Sequence, residues 1–401
     1  MLVFKGKYVR RTDSCNLYKI LHIVTRFLKC GGAEKNTYYS IQGLDRAQYK
    51  VDLAIGPDSE LSLLENYAHG QVLQVSTLVR DPNPLYDPIA LFQLYHIIKS
   101  GNYQIVHTHT GKAGILGRIA ARMAGVPIII HGLHGTMTSP NPVLDVIYLF
   151  LDRFTGRFTD CFVSVGEDLK QRYIERKIGD PSKYRMIHSG MDLDAFHKAG
   201  DLPKEAIIKK RRELGLADDE LVIGKVASLE RRKGHRYAIA AMKQLIQHHT
   251  NIKLLFVGDG WYRPKLEEMV RQNSLEDSIV FAGYREDIAE VMATFDIVIL
   301  TSLWEGLPQV LVQAAAVGKP IVTFAVEGAK EVVKDGVNGF IVPLKDVDAL
   351  VEKVEYLLSD MERARAMGKQ GRKIISDQWT IETMQEKTRE LYEELLAAEK
   401  Q

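Results

Sequence analysis

The sequence predicts two doubly wound α/β domains, each built on a parallel β-sheet covered by helices. Short, continuous apolar runs rich in β-branched residues alternate with amphipathic stretches, which is the pattern of strands buried on both faces. This alternation is interrupted once, in the segment 188–203 with its Gly, Asp and Pro residues, and then begins again. We therefore expect two sheets whose carboxyl edges face each other across a cleft, where open α/β sheets bind ligands.

The apolar runs divide the chain into four predicted parts. A short basic extension, 1–17, is either a disordered tail or an arm for a membrane surface. The first α/β domain, 18–190, has the strands YKILHIV, YKVDLAI, QVLQV, YQIVHTH, PIIIHG and CFVSV. The second, 191–376, has LVIGKVASL, IKLLFVG, SIVFAG, DIVILTS, KPIVTF and GFIVP, and 377–401 is predicted to be helical.

The composition is that of an ordinary globular protein. The 401 residues are 46% hydrophobic and 26% charged, with a formal net charge of +2, so charge gives no support for a nucleic-acid partner. Cys15, Cys30 and Cys161 form neither a CxxC pair nor a disulfide framework, which fits a reducing compartment. Because no apolar run approaches the roughly 18 residues of a spanning helix, and no signal peptide is recognisable, we expect a cytoplasmic protein.

The loop after the strand DIVILTS is the first candidate ligand site. In EGLPQVLVQ, Pro308 suits the first helical position, and the free amides of Gln309 and Val310 then point into the cleft at the positive end of the helix dipole. Such an end suits a diphosphate. Glu305 can accept hydrogen bonds from sugar hydroxyls, and Gln313 lies within reach of a ribose. An exposed polar stripe is the alternative interpretation of the two glutamines.

A cluster of cations follows the first strand of the second domain. Arg231, Arg232 and Lys233 stand at a strand-to-helix turn closed by Gly234, at the same edge of the sheet. Several cations beside a helix N-terminus oppose its dipole unless an anion lies there. A solvated charged loop is the usual interpretation of such a run, but its position at the carboxyl edge favours phosphate binding.

Two weaker signals lie elsewhere. The pair Gly31-Gly32, between the first strand and its helix, lets the backbone approach a ligand closely, but it is not the GxGxxG of nicotinamide and flavin sites. The DxD spacing of Asp192 and Asp194 occurs in divalent-metal nucleotide sites. Because only two acids stand in this linker, we predict that they form a turn instead.

Histidines collect at the ends of two strands of the first domain. A metal site is one interpretation, but no Asp, Glu or Cys stands at ligand spacing, so we predict no zinc site. The histidine that precedes a glycine in HGLHGT is best placed to hydrogen-bond a substrate. The polar residues at these strand ends are His107, His109, Lys112, His131 and His134.

The chain resembles the retaining GT4-family glycosyltransferases, which have the GT-B fold, in the order and spacing of six motifs. These are GGAE, HTHTGKAGILGRIAARMAGVP, HGLHGT, ASLERRKGH, FVGDG and EGLPQVLVQAAAVGKPIV. The resemblance implies transfer of a hexose, with retention at the anomeric carbon, from a nucleoside-diphosphate sugar, a UDP-sugar being favoured. It implies no metal and no other cofactor. It also implies that the final helix, from Trp379, packs back on the first domain.

The resemblance further implies roles for individual residues. His134 would contact the transferred sugar, Lys233 would bind the diphosphate and stabilise the leaving group, and Glu305 would hold hydroxyls of the donor sugar. These three are the predicted catalytic residues, and no metal-binding residue is predicted. The predicted donor-binding residues are Gly31, Gly32, Arg231, Gly306, Leu307, Gln309, Val310 and Gln313.

Two positions depart from the family pattern. The second glutamate of the family's E-x7-E motif, a ribose ligand, is Gln313, which can still accept and donate hydrogen bonds but lacks the charge. The arginine five residues before the lysine is Ser228, so Arg231 or Arg232 would have to supply that charge. These departures keep two other functions in view: a donor-binding protein with weak or no catalysis, and a GT-B sugar-nucleotide 2-epimerase.

The expected acceptor is a lipid-linked or surface-polysaccharide glycan, because many relatives use one. The segment 140–160 has apolar residues at helical spacing beside Arg153 and Arg157, and such a helix can dock on the anionic inner face of the cytoplasmic membrane. A core helix packed on the first sheet is the commoner outcome of such a pattern. The apolar residues are Val143, Ile147, Leu151, Phe154 and Phe158.

Overall fold

The computed structural model describes residues 17–28, 31–109, 111–135 and 142–400. Within them the chain forms two all-parallel β-sheets with helices on both faces, as the alternation of apolar runs predicts. The extension 1–17, apart from its last residue, lies outside the described residues, and so do Cys15 and Cys30.

The first sheet has seven strands, one more than predicted. The additional strand, Tyr184–Met186, has three residues and lies at an edge, so it leaves no buried apolar run in the sequence. The strands are β1 Tyr18–Val24, β2 Tyr49–Ile55, β3 Val72–Gln74, β4 Ile105–His109, β5 Ile128–Leu133, β6 Cys161–Ser164 and β7 Tyr184–Met186, and their order in the sheet is β3-β2-β1-β4-β5-β6-β7.

The second sheet contains the six predicted strands. They are β8 Leu221–Val226, β9 Ile252–Val257, β10 Ile279–Gly283, β11 Ile297–Leu300, β12 Ile321–Phe324 and β13 Gly339–Val342, in the order β10-β9-β8-β11-β12-β13. The four inner strands, β9, β8, β11 and β12, are almost wholly buried, which is why their sequences are continuous apolar runs.

Helices connect the strands and cover both sheets. They are α1 Gly32–Gln42, α2 Tyr86–Gly101, α3 Gly111–Ala124, α4 Pro142–Gly156, α5 Glu167–Glu175, α6 Leu193–Gly200, α7 Lys204–Glu213, α8 His235–Leu245, α9 Arg263–Gln272, α10 Ile288–Ala293, α11 Gln309–Val317, α12 Ala329–Val332, α13 Val347–Leu358, α14 Met361–Ile374 and α15 Ile381–Glu399. Asp192 caps α6, because its carboxylate accepts a hydrogen bond from the Ala195 amide at 3.4 Å. The two acids thus stand at the start of a helix, Asp192 as its cap and Asp194 in its first turn, rather than in the predicted turn.

Each sheet has one point at which the strand order reverses, between β1 and β4 in the first sheet and between β8 and β11 in the second. The loops that follow these four strands open on the crevice where such sheets bind ligands. They carry Gly31-Gly32, the segment after His109, the cationic turn 231–233 and the EGLPQ loop.

The final helix, α15, covers one face of the first sheet. Met384, Leu391 and Tyr392 are buried in the core of that face. The Gln385 side chain also donates a hydrogen bond to the carbonyl of Tyr39 on α1, at 2.9 Å. The last helix of the chain is thereby attached to the first domain.

Helix α4 has its polar side turned inward. Asp152 is buried and bonds to Arg118 of α3 at 2.7 Å, and Thr155 is also buried. The exposed apolar side chains of the helix are Val143, Val146, Ile147, Phe150 and Phe154. The core-helix interpretation is therefore wrong for most of this stripe. In the described part of the chain no helix is both long and apolar enough to cross a bilayer.

Candidate active site

The cationic turn after β8 is fixed against the end of β11. Residues 231–233 form one 3₁₀ turn that ends at Gly234, whose φ of +66° lies in the left-handed region that favours glycine. A Cβ at Gly234 would overlap the carbonyl oxygen of Thr301. The Thr301 hydroxyl donates a hydrogen bond to the Gly234 carbonyl at 2.9 Å, and the Leu303 amide donates one to the Arg232 carbonyl at 2.9 Å. These contacts place the cations beside the EGLPQ loop.

Lys233 and Glu305 form an ion pair at the centre of this arrangement. Lys233 Nζ lies 2.7 Å from Glu305 Oε1, and Arg232 Nη1 lies 3.9 Å from Glu305 Oε2. Burial raises the pKa of the Glu305 carboxyl, but the charges of Lys233 and then Arg232 outweigh burial and hold the pKa below its ordinary value. Glu305 is therefore an ionised, almost completely buried carboxylate at neutral pH. Arg231, the predicted donor-binding arginine, is exposed instead.

Ser228 is linked to the same cluster. Its hydroxyl bonds to Glu230 Oε1 at 3.2 Å, and Glu230 Oε2 accepts a hydrogen bond from Arg232 Nε at 3.0 Å. Arg232 therefore lies between two carboxylates, Glu230 and Glu305. Of the two arginines, the prediction named Arg231 as donor-binding, whereas the structure places Arg232 at the cluster.

Helix α11 begins one residue later than predicted. Pro308 has φ −76° and ψ +86°, which is not helical, so it precedes the helix and Gln309 is the first helical residue. The amides of the first turn, including those of Gln309 and Val310, are free of intrahelical bonds by the geometry of a helix start. Gln313, half-buried, follows one turn later on the same side.

The loops of the two domains meet at this helix. A Cβ on Gly32 would lie 3.4 Å from Gln309 Nε2, and one on Gly31 would overlap the carboxylate of Glu34. A Cβ on Gly306 would overlap the carbonyl oxygen of His134. The glycines of both loops thus allow the two domains to approach closely beside α11. Leu307, next to Gly306, is buried.

The histidines at the strand ends form one hydrogen-bonded cluster, which the sequence did not reveal in full. His22 on β1 is the register neighbour of His107 on β4, and the donor nitrogens of His22, His107 and His109 lie within 4.8 Å of one another. This is close enough for a shared metal ion, and His22 is not among the histidines on which the prediction of no zinc site rests. The predicted absence of a metal stays a prediction.

Burial lowers the pKa of His22 to about 3 and that of His134 to about 4, so both imidazoles are neutral at neutral pH.

The remaining candidates of the first domain lie apart from this cluster. Lys112 is buried, with its ammonium paired to Asp87 and bonded to the carbonyl of Asp81 at 2.6 Å. His131 bonds to the Thr108 hydroxyl at 2.9 Å. Both side chains therefore support the domain internally.

Lys225, on β8, is not among the predicted site residues. Its side chain is fully buried, and its amine has no hydrogen-bond partner among the described residues. Burial and then the charge of Lys233 lower the pKa of Lys225 to about 7, against an opposing influence of Glu305. A lysine inside an apolar strand is the signal that would have indicated it.

Replacing Lys225 with methionine is expected to stabilise the fold most strongly below pH 7. Between about pH 7 and pH 10 the unfolded chain binds a proton that the folded chain does not, so wild-type stability falls as the pH falls through this range. Below about pH 7 the variant should gain on the order of 5 kcal/mol, and less towards pH 10. Denaturant titrations across this range measure the difference, with exposed Lys243→Met as the control. A gain that does not vary with pH would contradict the expectation.

Two family models together match most of the chain. "Glycosyltransferase Family 4" matches residues 30–195, and "Glycosyl transferases group 1" matches residues 206–374. The chain is a GT4-type glycosyltransferase. The predicted family is thereby confirmed.

Individual relatives agree with this assignment. The chain is 29% identical over 384 residues to the UDP-Gal:alpha-D-GlcNAc-diphosphoundecaprenol alpha-1,3-galactosyltransferase of Escherichia coli, covering 93% of this chain and 96% of the relative. It is 27% identical over 365 residues to the putative glycosyltransferase EpsF of Bacillus subtilis, covering 90% and 91%.

Solved structures confirm the predicted GT-B fold. Anabaena Alr3699/HepE in complex with UDP matches this glycosyltransferase with a TM-score of 0.77 and 23% identity, over 94% of this chain and all of that one. Sucrose-phosphate synthase from Thermosynechococcus elongatus matches with a TM-score of 0.80 and 22% identity, over 95% and 100%. At these identities the likeness concerns the fold.

Proposed function

We propose that this glycosyltransferase moves a hexose from a UDP-sugar to a lipid-linked glycan acceptor, with retention at the anomeric carbon and without a metal ion. The observation that carries the proposal is the Lys233–Glu305 ion pair, buried beside the first turn of α11. A cation, a carboxylate and free helix amides are the groups needed to hold a diphosphate and a sugar side by side.

Binding of the donor would separate this ion pair, with Lys233 turning to the diphosphate and Glu305 to the sugar. The diphosphate attracts Lys233 and is bound by the amides of Gln309 and Val310 at the positive end of the helix dipole. Glu305, released from Lys233, then accepts hydrogen bonds from sugar hydroxyls. His134, whose backbone packs on Gly306, approaches the same sugar from the first domain.

The chemical step rests on stabilisation of the leaving diphosphate. As the bond between the anomeric carbon and the diphosphate oxygen breaks, negative charge grows on the phosphate oxygens. Lys233 and the helix amides are already positioned to stabilise this charge in a partly desolvated site. We infer a front-face route in which the leaving diphosphate helps to deprotonate the acceptor. The proposed metal independence follows from these fixed positive groups, and Arg232 adds a third.

The donor and the acceptor are inferred from relatives and from the surface. The E. coli relative is named for UDP-Gal and a diphosphoundecaprenol acceptor, and HepE has been crystallised with UDP-glucose. The exposed apolar surface of α4 supports a lipid-linked acceptor, because an enzyme that uses such an acceptor has to reach a membrane. Exposed apolar residues at the start of α2 add to it, namely Leu85, Tyr86, Ile89 and Phe92, and Arg153 and Arg157 are exposed near the end of α4.

Charged substitutions on α4 are expected to weaken binding to anionic vesicles. Val146→Glu together with Phe150→Glu should lower co-sedimentation at least tenfold, because each side chain contributes roughly 1.5–3 kcal/mol when buried in an apolar phase and the new charges are repelled. Val337→Glu, an exposed apolar position in the second domain, is the matched control. Failure of the wild-type protein to co-sediment at low salt would contradict membrane docking.

A panel of UDP- and GDP-sugars, tested with and without a membrane-lipid extract, tests the function. We expect release of nucleoside diphosphate that depends on one UDP-sugar and on the extract, resists chelators, and yields a product whose anomeric configuration matches the donor. Turnover of the sugar nucleotide without any acceptor would indicate the epimerase instead. Stabilisation by a nucleotide with no release would indicate binding without catalysis, for which Gln313 and Ser228 would be the explanation.

A further inference from the structure

Four histidines and a tyrosine form a continuous hydrogen-bonded line from the final helix to the cleft. We call this line the histidine chain. Tyr392 Oη on α15 lies 2.7 Å from His107 Nδ1 and 3.0 Å from His22 Nε2. His22 Nδ1 lies 2.9 Å from His109 Nε2, and His109 Nδ1 lies 3.0 Å from His134 Nε2.

The donor and acceptor roles of successive groups in the histidine chain are coupled to one another. A neutral imidazole carries one N–H and one bare nitrogen, and a tyrosine hydroxyl has a single hydrogen to donate. If His22 accepts at one ring nitrogen it must donate at the other, and the same holds for His109. Tyr392 Oη could also accept from both His107 and His22, but its own buried O–H would then have no acceptor among its contacts in the histidine chain, which is costly. With Tyr392 donating to one of the two, all the bonds point the same way, either towards His134 or away from it.

The outer end of the chain decides between the two directions. His107 Nε2 is buried and has no hydrogen-bond partner among the described residues. If the bonds pointed away from His134, this nitrogen would carry a buried N–H with nothing to accept it, which is among the rarest defects in folded proteins. If the bonds point towards His134, the unpaired group is only a bare ring nitrogen, which costs less.

We propose that Tyr392, His22 and His109 are positioning residues that hold His134 in the tautomer with its proton on Nδ1. His134 Nε2 then accepts from His109, and Nδ1–H, which forms no hydrogen bond with any described residue, is left to donate to a ligand. The proposal rests on the proposed function for the identity of that ligand, a donor-sugar hydroxyl. It also couples the docking of α15 to the site, since removal of Tyr392 Oη breaks the line.

Hydrogen bonding fits this cluster better than a shared metal ion. Two imidazoles bound to one zinc at about 2.0–2.1 Å have nitrogens about 3.3 Å apart. His22 Nδ1 and His109 Nε2 are closer, at 2.9 Å, which is a hydrogen-bond distance. Gly132 permits the packing, because a Cβ there would lie 2.7 Å from His109 Nδ1.

Two-bond ¹⁵N–¹H correlation spectra of the full-length protein labelled with ¹⁵N-histidine test the proposal without any substrate. The His134 signal is identified by its loss in His134→Gln. We expect His134 to be protonated on Nδ1 in the wild type, and Tyr392→Phe to shift it towards the Nε2–H form. Tyr103→Phe, which removes another buried hydroxyl of the first domain, bonded at 2.7 Å to Asp52, is the matched control and should leave the tautomer unchanged.

Turnover provides the second readout. Tyr392→Phe should lower kcat about tenfold, the equivalent of one hydrogen bond, with a smaller change in the donor KM, whereas Tyr103→Phe should stay within about twofold. A His134 proton on Nε2 in the wild type, or one equivalent of zinc in the purified protein, would overturn the proposal. If Tyr392→Phe does not fold, the wild-type spectrum still decides. A correct tautomer in a protein with no transferase activity would contradict the proposed function alone.

Discussion

Replacing Lys233 with alanine is expected to lower kcat about 100- to 1000-fold while the protein stays folded. Lys233 supplies a positive charge 2.7 Å from Glu305 and beside the start of α11, where charge develops on the leaving diphosphate. The substitution also leaves Glu305, only 10% exposed, without its main partner. The pKa of that carboxyl should then rise, and part of its negative charge would be lost where the donor sugar has to bind.

Steady-state kinetics with the preferred donor separate these effects. Lys233→Arg should recover part of kcat, because it keeps the charge but not the geometry. Lys243→Ala, an exposed lysine on α8 that bonds only to Asn273 among the described residues, is the control. A Lys233→Ala enzyme within about threefold of the wild type would show that the diphosphate is stabilised elsewhere, and Arg232 would be examined next.

Most of the fold follows from local patterns in the sequence. The strands β8, β9 and β11 are buried on both faces, so nearly every position is apolar and each strand can be recognised as a continuous apolar run. The edge strand β7 pairs with only one neighbour, and two of its three residues are exposed, so no such run marks it. Edge strands of this kind depend on tertiary pairing rather than on their own composition.

The site could be predicted only as far as strand ends can be recognised. The loops after β8 and β11 can be predicted as ligand sites because parallel strands place their carboxyl ends at one edge of the sheet. Which cation of the turn 231–233 faces Glu305 depends on how the 3₁₀ turn is rotated, and Gly234 and Thr301 set this through long-range contacts. His22 joins the histidines through the register of β1 with β4, which composition does not encode.

Replacing Asp152 with alanine is expected to lower the free energy of unfolding by about 3–5 kcal/mol. Arg118 is fully buried, and its guanidinium bonds to Asp152 at 2.7 Å and to the carbonyl of Gly114 at 2.8 Å. Without the carboxylate, Arg118 would remain as an uncompensated buried charge. The pair lies on the inward side of α4, away from its exposed apolar residues, so we expect it to help set the orientation of the helix.

Denaturant unfolding followed by far-UV circular dichroism measures this loss. Arg153→Ala is the control on the same helix, because the exposed Arg153 donates one hydrogen bond to the carbonyl of Arg176, at 2.8 Å, and its loss should cost less than about 1 kcal/mol. Replacing Arg118 and Asp152 together by leucine removes both charges, so it should recover most of the stability lost in Asp152→Ala. Equal losses in the single and double variants would mean that α4 is held by its packing instead. In that case the outward apolar surface, and with it the proposed contact with a membrane, would not depend on the buried ion pair.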